Sequence, residues 1–184
     1  MVKKDTFTHR VFLCLGSNLG ERERNLKNAL AFLTKDGLID LVKCSSIYRS
    51  EGIEQGEGEP EYLNQVIEVN TPLPPEHLLN VCKRVESKLG RSSGEGHNGP
   101  RIIDIDILFY DELIIKTEDL VIPHPRAGRR RFVLQPLSEI ASDFLHPVMH
   151  LSIAQLLKES DDPGWVKKQE SGEVGFCPKI GRKS

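Results

Sequence analysis

Eight residues, Ile102 to Phe109, constrain the fold more than any other stretch of the chain. Ile103, Ile105, Ile107 and Phe109 alternate with Asp104 and Asp106, which predicts a strand with one apolar side against a core and one acidic side turned from it. Aspartate is disfavoured in strands, and two like charges on one face repel. A sequence that keeps both carboxylates about 6.5–7 Å apart on one strand face gains something from the pair that offsets those costs.

The segments before this strand fall into a regular order. Val11 to Leu15 is a short apolar run that stops at Gly16 and suits a buried strand. Leu26, Ala29, Leu30 and Leu33 then recur at helical spacing, and Gly37 lies just past the expected helix end. Leu41 to Tyr48 is rich in β-formers and reads as a second strand. Residues 50–60 hold three glycines and a proline and read as a loop. Tyr62 to Val69 alternates, with Leu63, Gln65, Ile67 and Val69 on one face and Tyr62, Asn64, Val66 and Glu68 on the other. Pro74-Pro75 opens a second helix whose apolar stripe is Leu78, Cys82, Val85 and Leu89, with Gly90 as its cap.

The order strand, helix, strand, strand, helix, strand predicts an α+β fold with a ferredoxin-like βαββαβ core. Asp111-Glu112 is expected to turn the acidic strand into a partner strand at Leu113–Ile115, adding a β-hairpin. Pro136–Ala141 and Ser152–Lys158 are the expected C-terminal helices. Residues 1–160 read as a single domain. Residues 161–184 show little apolar periodicity and read as a loosely held tail that Trp165 would pin.

Charge and cysteine usage narrow the function classes. The 184 residues hold 25 Lys plus Arg against 27 Asp plus Glu, a formal charge of −2 that gives no whole-chain attraction to nucleic acid or anionic lipid. No apolar run is long enough to span a membrane, and the first ten residues lack the apolar core of a secretory signal, so a cytoplasmic location is expected. Cys14, Cys44, Cys82 and Cys177 show no zinc or redox spacing and read as reduced thiols.

Mg²⁺ accounts for the aspartate pair, because it takes hard oxygen ligands and completes its shell with water and substrate phosphates. The alternative for an arbitrary Asp-x-Asp is a solvated face paired with Lys or Arg. Flanking residues favour the metal: Arg101 lies three positions before Asp104, and Arg91 stands across the glycine-rich 90–100 loop. Guanidinium groups bind phosphate oxygens, and a loop that closes over them fits phosphoryl transfer. No Walker A sequence occurs, and the Gly16–Gly20 turn lacks the dinucleotide fingerprint. Tyr62 beside Asn64 has the form of a stacking ring next to an amide that reads a heterocycle edge, or of a packing residue alone. His124, between Pro123 and Pro125, is either a phosphate donor or a turn residue. Arg129–Arg131 suits an anionic ligand or a solvated face.

Together these residues resemble the 6-hydroxymethyl-7,8-dihydropterin pyrophosphokinase family over about residues 11–158. The resemblance rests on Leu15–Gly20, Tyr48-Arg49-Ser50, Glu61–Asn64, Glu86 with Leu89-Gly90-Arg91, Gly99–Leu108, Val121–His124 and Arg131–Leu137. It implies transfer of the β,γ-diphosphate of ATP to the hydroxymethyl group of a reduced pterin, with release of AMP. Asp104 and Asp106 would then hold two Mg²⁺ ions, and Arg91 and Arg101 would engage the phosphates and assist the reaction. Tyr62 and Phe132 would sandwich the pterin, with Asn64, Ser50 and Ile53 at its edge. Glu86, Ile107, Val121, His124 and Arg130 would lie along ATP. The expected partners are these small molecules, with no nucleic acid, membrane or obligate protein partner.

The chain departs from the family pattern at Asn98, where a tryptophan is common, and at Lys83 and Asp119 on the nucleotide rim. Two other classes compete with this reading. A two-metal nucleotidyltransferase would also use paired aspartates. A ferredoxin-like RNA-binding module would need a basic, aromatic sheet face, and the acidic pair argues against that.

Overall fold

A computed structural model describes residues 8–51, 61–90 and 101–170. Ile53, Arg91, Asn98 and Cys177 therefore lie outside the described residues, as does most of both glycine-rich stretches. The elements run β1 (His9–Ser17), α1 (Arg22–Thr34), β2 (Asp40–Cys44), β3 (Tyr48–Ser50), β4 (Tyr62–Thr71), α2 (Pro75–Lys88) and β5 (Asp104–Tyr110). They continue with β6 (Ile115–Lys116), β7 (Val121–Ile122), α3 (Arg131–Ala141), α4 (Ile153–Glu159) and β8 (Val166–Lys168). The mixed α/β architecture has an antiparallel sheet in the order β5-β1-β4-β3-β8, with β2 also pairing β4.

Alternation along β1 divides the core in two. Val11, Leu13 and Leu15 join Leu26, Ala29, Leu30 and Leu33 of α1 and Leu78, Cys82 and Val85 of α2 in an inner cluster. Phe12 and Cys14 point the other way and pack with Val66, Leu108, α3 residues Val133, Leu134 and Leu137, and α4 residues Ile153 and Leu156. The sheet is thus covered by α1 and α2 on one face and by α3 and α4 on the other.

Local chemistry explains where the elements differ from expectation. Leu41–Tyr48 divides into β2 and β3 because Ser45 interrupts the ladder: its hydroxyl accepts from Val66 N–H at 3.0 Å and donates to Ser46 O at 2.7 Å. A register shift at Phe12/Leu13 moves Phe109 out of the isoleucine face, so it packs edge-on to Phe12 at 6.3 Å. Leu113–Ile115 does not return along β5. Asp111, at φ 46°, turns the chain away while its carboxylate accepts from Arg10 N–H and His9 Nδ1. The β5 position at Leu108 is taken by His124 N–H, and Ile115–Lys116 pairs with Val121–Ile122 instead. Helix α3 begins five residues before Pro136, which sits inside it. The tail contributes β8 on the β3 edge.

Candidate active site

The antiparallel registers place Asp104 opposite Gly16, Asp106 opposite Cys14, Gly16 opposite Asn64, and Asn64 opposite Tyr48. Paired residues share a face, so Asp104, Asp106, Asn64, Tyr62 and Ser50 all belong to the face opposite α1 and α2. At its far end that face is closed by α3 and α4. The end formed by the start of β5, the start of β4 and the end of β3 carries the polar groups.

Asp104 and Asp106 are both half-buried. Asp106 stands opposite Cys14 in the ladder, and burial first, then Asp106 and Asp104, push the Cys14 thiol well above its ordinary pKa. Arg101 Nη1 donates to Asp104 Oδ2 at 2.5 Å, with both side chains mostly shielded. The Arg101 backbone is held from two directions: its N–H donates to Asn18 Oδ1 at 2.6 Å, and its carbonyl accepts from Asn18 N–H at 3.1 Å. Ser17 Oγ adds a bond to Ile102 O, and Asn25 Nδ2 donates to Ser17 Oγ at 3.2 Å. Ser17 and Asn18 were missed by sequence reasoning. Two polar residues immediately after an apolar strand were the available signal, because such groups stay buried only when their hydrogen bonds are made.

Glu86 is 5% exposed on α2, and its Oε1 accepts from Ile105 N–H at 2.7 Å. This carboxylate anchors the strand between the two aspartates. Ile107 presents its side chain to the inner cluster rather than to the acidic face. His124 is half-buried, with its N–H on Leu108 O and its Nδ1 accepting from Arg126 N–H at 3.2 Å, which assigns the ring proton to Nε2. Burial and Arg126 push its pKa down, against an opposing pull from Asp104. The lowered pKa favours the neutral imidazole, with Nε2–H as its donor. Val121 is half-buried on β7, and Arg130 is the half-buried residue preceding α3.

The other side of the face carries a buried amide and hydroxyl near two half-buried aromatic rings. Asn64 is 2% exposed and donates from Nδ2 to Ser50 Oγ at 2.9 Å, leaving its carbonyl oxygen toward Gly16. Tyr62 is half-buried two positions away, and Phe132 packs against the outer cluster from the first turn of α3. The ends of β3 and β4 are clipped together: Arg49 Nε and Nη2 donate to the Glu61 carboxylate at 2.7–2.9 Å, and Arg22 Nη1 donates to Glu61 O.

Among the described residues, no group of three or more His, Cys, Asp or Glu side chains could enclose a metal ion. Two carboxylates suit Mg²⁺, which draws its remaining oxygens from water and phosphate, and do not suit an ion that needs a complete protein cage.

The model of the 7,8-dihydro-6-hydroxymethylpterin-pyrophosphokinase family matches residues 12–142. The chain is 41% identical over 129 residues to the Bacillus subtilis 2-amino-4-hydroxy-6-hydroxymethyldihydropteridine pyrophosphokinase, covering 70% of this chain and 76% of that protein. It is 44% identical over 142 residues to a folic acid synthesis protein of Dictyostelium discoideum, covering 77% of this chain and 21% of that one. The chain thus spans about a fifth of the longer relatives it matches. A Plasmodium falciparum HPPK-DHPS structure with pteroate shares the fold at TM-score 0.65 and 17% identity, over 83% of this chain and 44% of that one. No helix among the described residues is long and apolar enough to cross a membrane. On sequence and on fold, the chain belongs to the 7,8-dihydro-6-hydroxymethylpterin-pyrophosphokinase family.

Proposed function

We propose that this protein transfers the β,γ-diphosphoryl group of ATP to the hydroxymethyl oxygen of 6-hydroxymethyl-7,8-dihydropterin, giving AMP and the pterin diphosphate in folate synthesis. The observation that carries the reading is the placing of two half-buried aspartates and a buried Asn64–Ser50 pair on one sheet face. The acidic end suits metal-bound phosphates and the amide end suits a pterin. We read the core as ferredoxin-like, because β5-β1-β4 followed by β2 and β3 is the strand order of a split βαβ pair, to which β8 adds an edge strand. In this reading residues 1–160 form the catalytic domain together with β8, which the following segment adds to its sheet, and a cytoplasmic location and small-molecule partners go with it.

Asp104 and Asp106 would hold two Mg²⁺ ions, which supply charge neutralisation for the polyphosphate when bound. The residues of the chain do the rest by positioning. Arg101, fixed by Asn18 and steered by Asp104, presents its guanidinium to the phosphates, and Arg91 is assigned the same task. His124 donates from Nε2 to a phosphate oxygen. Val121, Arg130 and the backbone at Ile107 flank the nucleotide, and Glu86 anchors the strand beneath it. Tyr62 and Phe132 stack on the two pterin faces, while Asn64, Ser50 and Ile53 bond its edge. No strong base is required, since alignment and charge stabilisation carry most of a phosphoryl transfer.

The test is incubation with ATP, Mg²⁺ and the reduced hydroxymethylpterin. AMP and a diphosphorylated pterin are the expected products, and Asp104→Ala is expected to abolish their formation. Release of pyrophosphate in place of AMP would instead identify a nucleotidyltransferase.

A further inference from the structure

The segment that follows α4 is not used by the proposed chemistry, yet it touches both walls of the pterin end. Helix α3, which carries Phe132, begins without a cap of its own. Arg130 at its N-cap position makes no side-chain capping bond, and its first turn holds no acidic residue. The first amide protons of a helix have no partner inside it. Here Asp162, thirty-one residues on, supplies one: its Oδ2 accepts from Arg131 N–H at 2.8 Å. The negative charge also lies where the helix dipole favours it.

Asp162 is itself held. Its N–H donates to Ser160 Oγ, its Oδ1 accepts from Gly164 N–H at 3.0 Å, and Ser160 Oγ donates to Arg129 O. Arg131 Nη2 reaches Ser160 O at 3.1 Å. The chain then crosses to the other wall, where Trp165 N–H donates to Glu51 Oε1 at 3.0 Å. Beyond it, β8 pairs Val166 with Ser50, Arg49 with Lys167 and Tyr48 with Lys168. Lys168 Nζ also donates to Glu139 of α3, which accepts from Ser46 and Tyr48 as well.

We infer that Ser160–Gln169 is a strap that caps α3 in trans and fixes Phe132 relative to Ser50, which makes Asp162 a positioning residue for the pterin half of the site. The strap resists separation of α3 from β3, so the gap between the aromatic wall and the polar edge keeps one width. This inference rests on the proposed function for the identity of the ligand, and on contacts of the chain alone for the mechanical part.

Two measurements on the full chain decide it. In Asp162→Ala, amide exchange in the first turn of α3 and along β3 is expected to quicken together, by about tenfold or more. The KM for the pterin is expected to rise about tenfold while the KM for ATP stays within about twofold, the signature of one mispositioned half-site. Asp162→Asn keeps one of the two acceptor oxygens and is expected to restore part of the pterin KM. Where Asp162→Ala fails to fold, Ser160→Ala, a milder lesion of the same strap, is expected to show the same split. A wild-type protein that releases no AMP from ATP in the presence of the pterin overturns the proposed function, and the exchange result then decides the strap on its own. An active wild type whose Asp162→Ala variant keeps its pterin KM, or whose exchange quickens in α3 without β3, overturns the strap.

Discussion

Glu86 separates two roles that a sequence alone cannot. The family resemblance sets it along the nucleotide, whereas its Oε1 lies 2.7 Å from Ile105 N–H, buried between α2 and β5. Glu86→Ala removes a charged acceptor and leaves that amide without this bond. A hydrogen bond to a charged group is worth about 1.5–3 kcal/mol, and an orphaned buried donor costs a similar amount, so a loss of about 2–3 kcal/mol is expected. For a chain this size that corresponds to a fall in Tm of about 4–12 °C. Glu86→Gln retains an acceptor oxygen and is expected to lose about 1 kcal/mol or less. Urea unfolding, followed through the single tryptophan, gives the stability, and pterin diphosphate formation gives the turnover. Turnover in Glu86→Ala should fall about 10–100-fold, because the strand it anchors carries both aspartates and small displacements there are costly. The reasoning is refuted if Glu86→Ala unfolds within about 0.5 kcal/mol of wild type while only the KM for ATP rises. The carboxylate would then be a nucleotide ligand and not an anchor.

Other perturbations test the rest of the site. Asn64→Ala removes the bond to Ser50 and the carbonyl beside Gly16, and is expected to raise the pterin KM about tenfold at a cost of about 1–3 kcal/mol; an unchanged pterin KM would exclude Asn64 as the group that reads the edge. His124 and His146 are both held below 6.5, His146 chiefly by burial, so the unfolded chain takes up their protons first as pH falls. Stability is then present above the ordinary histidine value and is lost as pH drops toward the lowered ones. A Tm that falls as the pH drops below the ordinary histidine value, less steeply in His146→Gln, is the expected record. Burial pushes Cys82 up to about 12 and Cys14 well above its usual value. Iodoacetamide at neutral pH should therefore label half-buried Cys44 well before either, and early labelling of Cys14 would contradict its enclosure.

The sequence is most legible where one periodicity is strong and no side chain competes with the backbone. The stripes Leu26–Leu33 and Leu78–Val85 specify α1 and α2, and the Ile/Asp alternation specifies β5 and the sharing of one face by Asp104 and Asp106. The break between β2 and β3 was hidden because Ser45 resolves the interruption with its own hydroxyl, leaving the hydrophobic pattern intact. Proline is favoured in a first turn, so the sequence points to a start of α3 at Pro136 instead of Arg131. Pro136 nevertheless lies in the helix interior, where it cannot donate to the carbonyl of Phe132. The short strands β6, β7 and β8 have two or three residues each, too few to show a period. The Asn18 clamp and the Asp162 cap join positions 83 and 31 residues apart, and no local pattern announces a bond of that range.

The Arg49–Glu61 clip has an evolutionary consequence. A forked ion pair fixes the two stems of the intervening segment independently of what that segment contains. Lengthening a chain segment whose two ends are held costs only closure entropy, about 0.6 kcal/mol for each doubling. The acidic, glycine-rich stretch between these stems can therefore gain, lose or exchange residues with little penalty to the sheet.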